Sequence, residues 1–268
     1  MIIFRNEECS KTMKYMYKKN MKVDVILTSP PYNASRKVRT KRELEERCSK
    51  YKYYDDCKPF EEYCNFIVKT LKQCEKVLKQ NGVILLNLSY VSSIELNMIG
   101  SNLILLMNDI LNKTMFELAD IICWKKKSAL PNNRSSNKCT RICEFVFVLC
   151  RKEEYMTFVS NKQITSVHDE LGTKYYTNMF NFIEAKNNDG KNPYNNATFS
   201  VDFVSQLLKM YCKDGMTVYD PFGGIGTTAI ACYIEQRNIS CVCSEIDTEQ
   251  VEYAKDRLER IKTNGQLF

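Results

Sequence analysis

The chain has 268 residues and 44% hydrophobic content, which is enough to bury a sizeable core in one large domain or two small ones. Its 39 Lys and Arg residues outnumber its 32 Asp and Glu residues, and the formal charge of +7 mildly favours an anionic partner such as nucleic acid without establishing one. The longest apolar runs are far shorter than the roughly 20 residues of a membrane span, and no secretory leader opens the sequence, so we expect an intracellular globular protein that does not enter a membrane.

Short β-branched runs bounded by turn residues alternate with amphipathic stretches, a pattern typical of an α/β domain. In chain order it predicts a strand at Val23–Thr28, a helix at Phe60–Lys79, a strand at Gly82–Leu88, a helix at Ile94–Asn112, strands at Phe116–Trp124 and Glu144–Cys150, a helix at Val201–Cys212, a strand at Met216–Asp220, a helix at Thr227–Gln236, a strand at Ile239–Ser244 and a helix at Thr248–Thr263. Gly82 in "KQNG" stands where a helix would end. We predict one doubly wound, mostly parallel sheet in a single domain, residues 1–268.

Two stretches break this pattern. Residues 125–141 and 157–200 are polar, Asn-rich and without periodicity, and long insertions in a compact α/β chain are typically functional loops. We therefore divide the domain into a catalytic region at residues 21–124, insertions at about 125–200 and a cofactor region at 201–263.

The 13 cysteines are scattered, and only Cys139 with Cys143 and Cys241 with Cys243 lie close together. Neither pair has a second pair or a histidine cluster that would complete a zinc site, because the single histidine, His168, is distant in sequence. We expect reduced core cysteines and no metal site.

A glycine-rich turn follows the strand that ends at Asp220. In "DPFGGIGTT" the glycines let the backbone pass close to a ligand, and the position lies at the carboxyl end of a strand, where open α/β sheets bind ligands. The two threonines supply a helix start. The predicted cofactor-binding residues of this turn are Asp220, Pro221, Phe222, Gly223, Gly224, Gly226, Thr227 and Thr228.

A second strand ends about twenty residues later in "SEID". A carboxylate there, Glu245 first and Asp247 second, can accept both hydroxyls of a ribose. The lysine of a phosphate-binding P-loop is missing after the glycines. An adenosine without phosphates fits both observations, and S-adenosylmethionine (AdoMet) is the predicted cofactor.

The stretch "DVILTSPPYNASRKVRT" joins a buried strand to a stiff corner, Ser29-Pro30-Pro31-Tyr32, and then to a basic run. As an isolated tetrapeptide the corner is most simply a surface turn, and the basic run a solvated helix face. The neighbouring strand and the cofactor motifs favour a catalytic corner beside DNA-contacting side chains.

Together "TSPPYN", "DPFGGIGTT" and "SEID" resemble the exocyclic amino-group DNA methyltransferases, which make N4-methylcytosine or N6-methyladenine. The active-site motif precedes the AdoMet motif here, an order similar to the permuted group called β, and the resemblance covers residues 23 to about 261. It implies a Rossmann-like AdoMet-dependent methyltransferase fold with inserted target-recognition loops. The chain departs from the family pattern at Asn192-Pro193 and Ser200-Val201, where members often show His-Pro and Lys-Pro.

The resemblance assigns roles to the corner. Ser29 Oγ and the Pro30 carbonyl would accept hydrogen bonds from the target amine, the two prolines would fix that carbonyl, and Tyr32 would stack on a base pulled out of the duplex. Thr28, just before the corner, joins the predicted cofactor-binding residues. Since the strands of Ser29 and Asp220 can be neighbours in a doubly wound sheet, donor and target would meet at one rim.

Double-stranded DNA is the implied partner. We expect phosphate contacts from the basic run, and base contacts from the first insertion; the residues are Arg36, Lys37, Arg39, Lys41 and Arg42, and Asn132, Asn133 and Arg134. A homodimer and a companion restriction endonuclease are left open.

In the family that the motifs resemble, serine in the first motif position is more often associated with cytosine N4 and aspartate with adenine N6, so the resemblance favours cytosine N4, with adenine N6 as the alternative. An RNA or protein amide methyltransferase is disfavoured by the serine and by the permuted order. A non-enzymatic DNA-binding or AdoMet-binding module is disfavoured because both motifs are complete. C5-cytosine chemistry is disfavoured because the sequence contains no Pro-Cys dipeptide.

Overall fold

The computed structural model of the protein describes residues 1–33, 58–89, 99–128, 136–137, 139–168, 171–190, 192, 194 and 198–264. In chain order the elements are β1 (Ile2–Asn6), α1 (Cys9–Lys18), β2 (Val23–Thr28), α2 (Phe60–Val77), β3 (Leu78–Leu88), α3 (Ile99–Lys113), β4 (Phe116–Lys126), β5 (Cys143–Arg151), a short 3₁₀ helix (Lys152–Glu154), β6 (Ile164–His168), β7 (Thr173–Tyr176), β8 (Phe182–Ala185), α4 (Val201–Tyr211), β9 (Thr217–Asp220), α5 (Thr227–Ile234), β10 (Ser240–Glu245) and α6 (Thr248–Asn264).

Eight strands form one sheet in the order β1-β10-β9-β2-β3-β5-β4-β8. Neighbouring strands are parallel except for β5, which runs antiparallel to both β3 and β4. The predicted doubly wound, mostly parallel sheet is therefore confirmed. Strands β6 and β7 form a separate antiparallel hairpin.

Helices cover both faces of the sheet because successive side chains of a strand point to opposite faces. Val25 and Leu27 of β2 belong to one buried cluster, which includes residues of α4, α5 and the end of α6. Ile26 belongs to the other, which includes residues of α1, α2 and α3. The central strands are thus buried on both sides, as expected of a parallel sheet.

The predicted helix end at Gly82 is wrong. Helix α2 ends at Val77, and Leu78 leaves it with an extended backbone (ψ 133°). Gly82 lies inside β3, where a Cβ would sit 2.9 Å from the Asp24 carbonyl oxygen and closer still to Leu78. The glycine permits close packing within the sheet, while Asn81 takes the left-handed conformation (φ 58°).

Several elements were not predicted from the sequence. Strand β1 and helix α1 precede the first predicted strand, and β1 forms one edge of the sheet beside β10. The second polar stretch, expected to be loop, contains β6, β7 and β8, and β8 extends the sheet parallel to β4. Because β6 and β7 are exposed along their whole length and β8 has four residues, none of them has an informative apolar alternation. Helix α3 is described from Ile99, and its predicted start at Ile94 lies outside the described residues.

Within the described ranges, none of the helices is long and apolar enough to cross a bilayer. The same ranges contain no group of three or more His, Cys, Asp and Glu side chains placed to hold a metal ion. The eleven cysteines that the structure describes are free, and eight of these are buried.

Candidate active site

The two sequence motifs meet at one rim of the sheet. Strands β2 and β9 are parallel neighbours, with Val25 opposite Val218 and Ile26 opposite Tyr219. At their carboxyl ends, Thr28 Oγ1 donates a hydrogen bond of 2.9 Å to Asp220 Oδ1. The corner that follows β2 and the glycine turn that follows β9 are therefore adjacent, as the sequence predicted.

Asp220 organises the glycine turn from inside the protein. It is 1% exposed, and besides Thr28 it accepts hydrogen bonds from the Phe222 N–H (3.0 Å) and from Thr228 Oγ1 (2.6 Å). Burial raises the pKa of Asp220 from 3.8 to about 6, although the hydrogen bonds oppose the shift. Its carboxylate joins the end of β2, the turn and helix α5.

The glycines of the turn are required by packing and backbone conformation. Gly226 is left-handed (φ 78°), and a Cβ there would lie 2.7 Å from the Ala254 Cβ of α6. A Cβ on Gly223 would lie 2.8 Å from the Cys243 Cβ of β10. Helix α5 begins at Thr227, as predicted, with Gly226 in the capping position, and Thr228 Oγ1 donates to Asp220.

Glu245 ends β10 facing the same turn. Its Oε2 accepts the Gly224 N–H and its Oε1 accepts the Asp247 N–H, both at 2.9 Å. Burial raises the pKa of Glu245. Each carboxylate oxygen has lone-pair capacity beyond the single backbone bond it receives, which suits a ligand that presents two hydroxyls. Asp247 Oδ1 accepts the Glu249 N–H and so starts α6.

The Ser-Pro-Pro-Tyr corner rests on a polar network. Ser29 Oγ lies 2.6 Å from Tyr32 OH, which lies 2.6 Å from Asn87 Nδ2 and 3.2 Å from Glu144 Oε2. Asn87 Nδ2 also donates to Glu144 Oε2 over 3.2 Å. Asn87 and Glu144 are 1% and 7% exposed. Strands β3 and β5 thus hold the corner from below.

A lysine lies behind this network. Lys126, the last residue of β4, forms an ion pair with Glu144 Oε1, and its ammonium group lies 5.0 Å from the centre of the Trp124 ring. Burial, followed by the charge of Glu144, raises the pKa of Tyr32 well above its ordinary value. The tyrosine therefore stays protonated and can donate a hydrogen bond at physiological pH.

The chain leaves the corner through a fixed point. Asn33 is buried and left-handed (φ 50°). Its side-chain amide makes two hydrogen bonds of 2.8 Å with the backbone of Lys58, one to the carbonyl and one from the N–H. Asn33 thus closes the end of the corner against the start of the α2 segment.

A buried ion pair connects the second insertion to the glycine turn. Arg257 of α6 lies 3.2 Å from Asp189 Oδ2 and donates to the Ile225 carbonyl oxygen of the turn. Both Asp189 oxygens accept the Val201 N–H at the start of α4. One arginine therefore positions the turn relative to the segment before α4.

The structure brings together the residues predicted from both motifs: Thr28, Ser29, Tyr32, Asp220, Phe222, Gly224, Thr228 and Glu245 are linked by the contacts above. Sequence reasoning missed Asn33, Asn87, Lys126 and Glu144. The one available signal was Asn87 itself, an amide in the otherwise apolar run "GVILLNL". The residues predicted to bind DNA, Arg36, Lys37, Arg39, Lys41, Arg42, Asn132, Asn133 and Arg134, lie outside the described residues.

Solved structures similar to this chain include a DNA methyltransferase and a complex with AdoMet. The PvuII DNA methyltransferase (cytosine-N4-specific) matches with a TM-score of 0.68 and 16% identity, over 95% of this chain and 85% of that chain. The M1.HpyAVI complex with AdoMet matches with a TM-score of 0.60 and 19% identity, over 96% and 100%. These likenesses confirm the Rossmann-like methyltransferase fold.

Among curated relatives, the type II methyltransferase M.Cfr9I of Citrobacter freundii is 29% identical over 143 residues, which is 53% of this chain and 45% of the relative. M.HinfI of Haemophilus influenzae is 23% identical over 248 residues, which is 91% of this chain and 65% of the relative. The chain thus spans about half to two thirds of the length of these relatives. The family model for N6 and N4 methyltransferases, described as DNA methylase, matches residues 23–256. The chain therefore belongs to this DNA methylase family, and with it the AdoMet cofactor and the amino-methyltransferase resemblance predicted from the motifs are confirmed.

Proposed function

We propose that the protein transfers a methyl group from AdoMet to the N4 amine of cytosine in duplex DNA, by direct attack of the amine of a flipped base. The observation that carries the proposal is the hydrogen bond between Thr28 and Asp220, which places the Ser-Pro-Pro-Tyr corner beside the glycine turn. The methyl donor and the acceptor amine would then meet at the carboxyl ends of the neighbouring strands β2 and β9.

The glycine turn and Glu245 fit AdoMet. Glu245 would accept the ribose hydroxyls while its backbone partners, Gly224 and Asp247, keep the carboxylate in place. Pro221, Phe222, Gly223, Gly226 and Thr227 would complete the walls of the site. When bound, AdoMet supplies a methyl group on a sulfonium centre.

The corner suits an amine that is a poor nucleophile. The lone pair of an exocyclic amine is delocalised into its ring, and acceptors aimed at the N–H groups favour the localised form as positive charge develops in the transition state. Ser29 Oγ and the Pro30 carbonyl would be those acceptors, since proline fixes the local backbone direction. Correct alignment alone contributes up to roughly 7–11 kcal/mol in well-oriented model reactions.

Tyr32 would stack on the flipped base. Its hydroxyl bonds to Ser29, Asn87 and Glu144 hold the ring at the corner, so stacking would not require the ring to be ordered anew when the base enters. A preformed platform lowers the entropic cost of binding.

Two observations favour cytosine. Ser29 occupies the first motif position, and the PvuII enzyme of the same fold is cytosine-N4-specific. Adenine N6 is the alternative, because both amines present the same N–H geometry.

The test is to methylate unmodified duplex DNA with the purified protein, digest it to nucleosides and identify the product by mass spectrometry. We expect N4-methylcytosine, and N6-methyladenine alone would refute the cytosine assignment. Parallel transfer assays with RNA and cell extract exclude other substrates if only DNA is labelled. Ser29→Ala should abolish transfer while AdoMet binding persists; full activity of this variant would refute the role of the corner. Sequencing of the methylated DNA then gives the recognition site.

A further inference from the structure

In the polar network beneath the corner, the donor and the acceptor of each hydrogen bond can be assigned consistently. Resting on the proposed function, we propose that Glu144 is a positioning residue that orients the hydroxyl of Tyr32, and through it the hydroxyl of Ser29, so that Ser29 Oγ presents a lone pair to the target amine. Glu144 acts through Tyr32 and does not need to touch the substrate.

The assignment of donors and acceptors starts at the carboxylate of Glu144. An ionised carboxylate only accepts hydrogen bonds, so Tyr32 OH must donate its one proton to Glu144 Oε2 at 3.2 Å. The raised pKa of Tyr32 keeps that proton in place. Having donated to Glu144, Tyr32 OH can only accept from its other partners.

Asn87 follows the same rule. Its Nδ2 lies 3.2 Å from Glu144 Oε2 and 2.6 Å from Tyr32 OH, so the amide group must face both with its N–H donors. The reversed amide would bring two acceptor oxygens together beside the carboxylate. Glu144 thus fixes the orientation of Asn87 as well as of Tyr32.

Ser29 is the last residue in this series of hydrogen bonds. Its Oγ lies 2.6 Å from Tyr32 OH, whose proton is already committed, so Ser29 must be the donor in this bond. A hydroxyl has one proton and two lone pairs. Asn87 Nδ2 faces one lone pair over a long contact of 3.4 Å. Once the proton points at Tyr32, the other lone pair remains for the amine, which is the acceptor geometry that the proposed chemistry needs.

Lys126 supports this arrangement from the opposite side. It pairs with Glu144 Oε1, away from the oxygen that Tyr32 and Asn87 share. Its positive charge compensates the charge of the buried carboxylate. The two oxygens of Glu144 therefore have different roles: Oε1 pairs with the Lys126 cation, and Oε2 orients Tyr32 and Asn87.

The chain contains a matched control. Glu154 is also 7% exposed and also paired with a cation, Arg151, but it lies beyond the opposite end of β5. Glu154→Gln removes a buried glutamate charge with the same exposure and leaves the corner untouched. A difference between Glu144→Gln and Glu154→Gln therefore reports on the network rather than on lost charge in general.

The experiment measures single-turnover transfer of a labelled methyl group from AdoMet to unmethylated genomic DNA. Four proteins are compared with wild type: Glu144→Gln, Glu154→Gln, Tyr32→Phe and the double variant Tyr32→Phe with Glu144→Gln. AdoMet affinity and melting temperature are measured for each. Nucleoside analysis of the wild-type product is performed separately.

We expect Glu144→Gln to slow transfer about 10- to 100-fold, the range for loss of a hydrogen bond to a charged group, with AdoMet affinity unchanged. Glu154→Gln should keep the wild-type rate. The double variant should be little slower than Tyr32→Phe, because without the tyrosine hydroxyl Glu144 reaches Ser29 only through Asn87 Nδ2, whose contact with Ser29 Oγ is long at 3.4 Å.

Wild-type transfer by Glu144→Gln, equal slowing by Glu154→Gln, or multiplying effects in the double variant would each overturn the proposal. If Glu144→Gln does not fold, Glu144→Asp takes its place: the shorter side chain keeps the charge beside Lys126 but withdraws it from Tyr32 OH, so it must still slow transfer. A wild-type product of N6-methyladenine would refute the cytosine assignment only, because Ser29 Oγ would accept from either amine.

Discussion

Thr28 and Asp220 are 192 residues apart in sequence, and their side chains are joined by a hydrogen bond of 2.9 Å at the carboxyl ends of neighbouring strands. This bond connects the proposed acceptor site to the proposed donor site. Because the bond is short and buried, it directly determines how the proposed acceptor site is aligned with the proposed donor site.

Thr28→Val removes this bond and keeps the side-chain shape. We expect a loss of about 1–3 kcal/mol in the free energy of unfolding, as for a buried bond to a charged group, and a slower methyl transfer because alignment is lost. Denaturant unfolding and single-turnover kinetics measure the two effects. Thr70→Val is the control, since among the described residues the hydroxyl of Thr70 bonds to the Phe66 carbonyl of its own helix. Equal transfer rates for both variants would contradict an alignment role.

The raised pKa of Asp220 predicts a pH-dependent stability. In the unfolded chain the carboxyl group titrates at 3.8, and in the folded protein at about 6. Between these values the folded state holds a proton that the unfolded state has released, so stability is full below pH 3.8 and falls as pH rises to about 6. The loss amounts to about 3 kcal/mol.

Asp220→Asn isolates this contribution. The amide does not titrate, so melting of the variant without AdoMet should lack the decline between pH 4 and 6 that wild type shows. Parallel melting curves for the two proteins across this range would mean that another group dominates the pH dependence.

Gly226→Ala tests the tight contact between the turn and α6. The alanine would combine a left-handed backbone with a Cβ 2.7 Å from Ala254 Cβ, and we expect a cost of about 2–4 kcal/mol and weaker AdoMet binding. Gly215→Ala is the control, because Gly215 is also left-handed (φ 74°) with no atom within 4 Å of a new Cβ. Calorimetry and AdoMet titration compare them, and equal costs would show that backbone strain alone matters.

Arg257→Met tests the buried ion pair with Asp189. Removing one partner of a buried pair leaves an uncompensated charge, and we expect a loss of about 3–5 kcal/mol. Arg260→Met, on the same helix, breaks the exposed pair with Asp256 and should cost less than about 1 kcal/mol. Chemical denaturation distinguishes the two; similar losses would show that Arg257 contributes through helix packing only.

The fold was predictable where a few neighbouring residues in the sequence record their position in the sheet. Strand β2 has the predicted bounds, because a short buried run followed by prolines leaves little choice of where a strand ends. The glycine turn was predictable for a similar reason, since Gly223 and Gly226 record close contacts that other side chains would prevent. Both features are encoded over a few neighbouring residues.

The polar network was not predictable because it depends on strand order. Asn87 and Glu144 meet only because β5 inserts antiparallel beside β3, in a register that places Asn87 opposite Val146. No local pattern fixes that register, so Glu144 has the sequence pattern of an ordinary strand end. The role of Asn33 likewise appears only when Lys58 is brought beside it.

The pair of hydrogen bonds between Asn33 and Lys58 fixes two points of the backbone with one side chain. Residues 34 to 57 lie between these points in sequence. Loss of the Asn33 amide would therefore release the end of the Ser29–Tyr32 corner and the start of the segment before α2 at the same time, so that a single substitution would change the position of both.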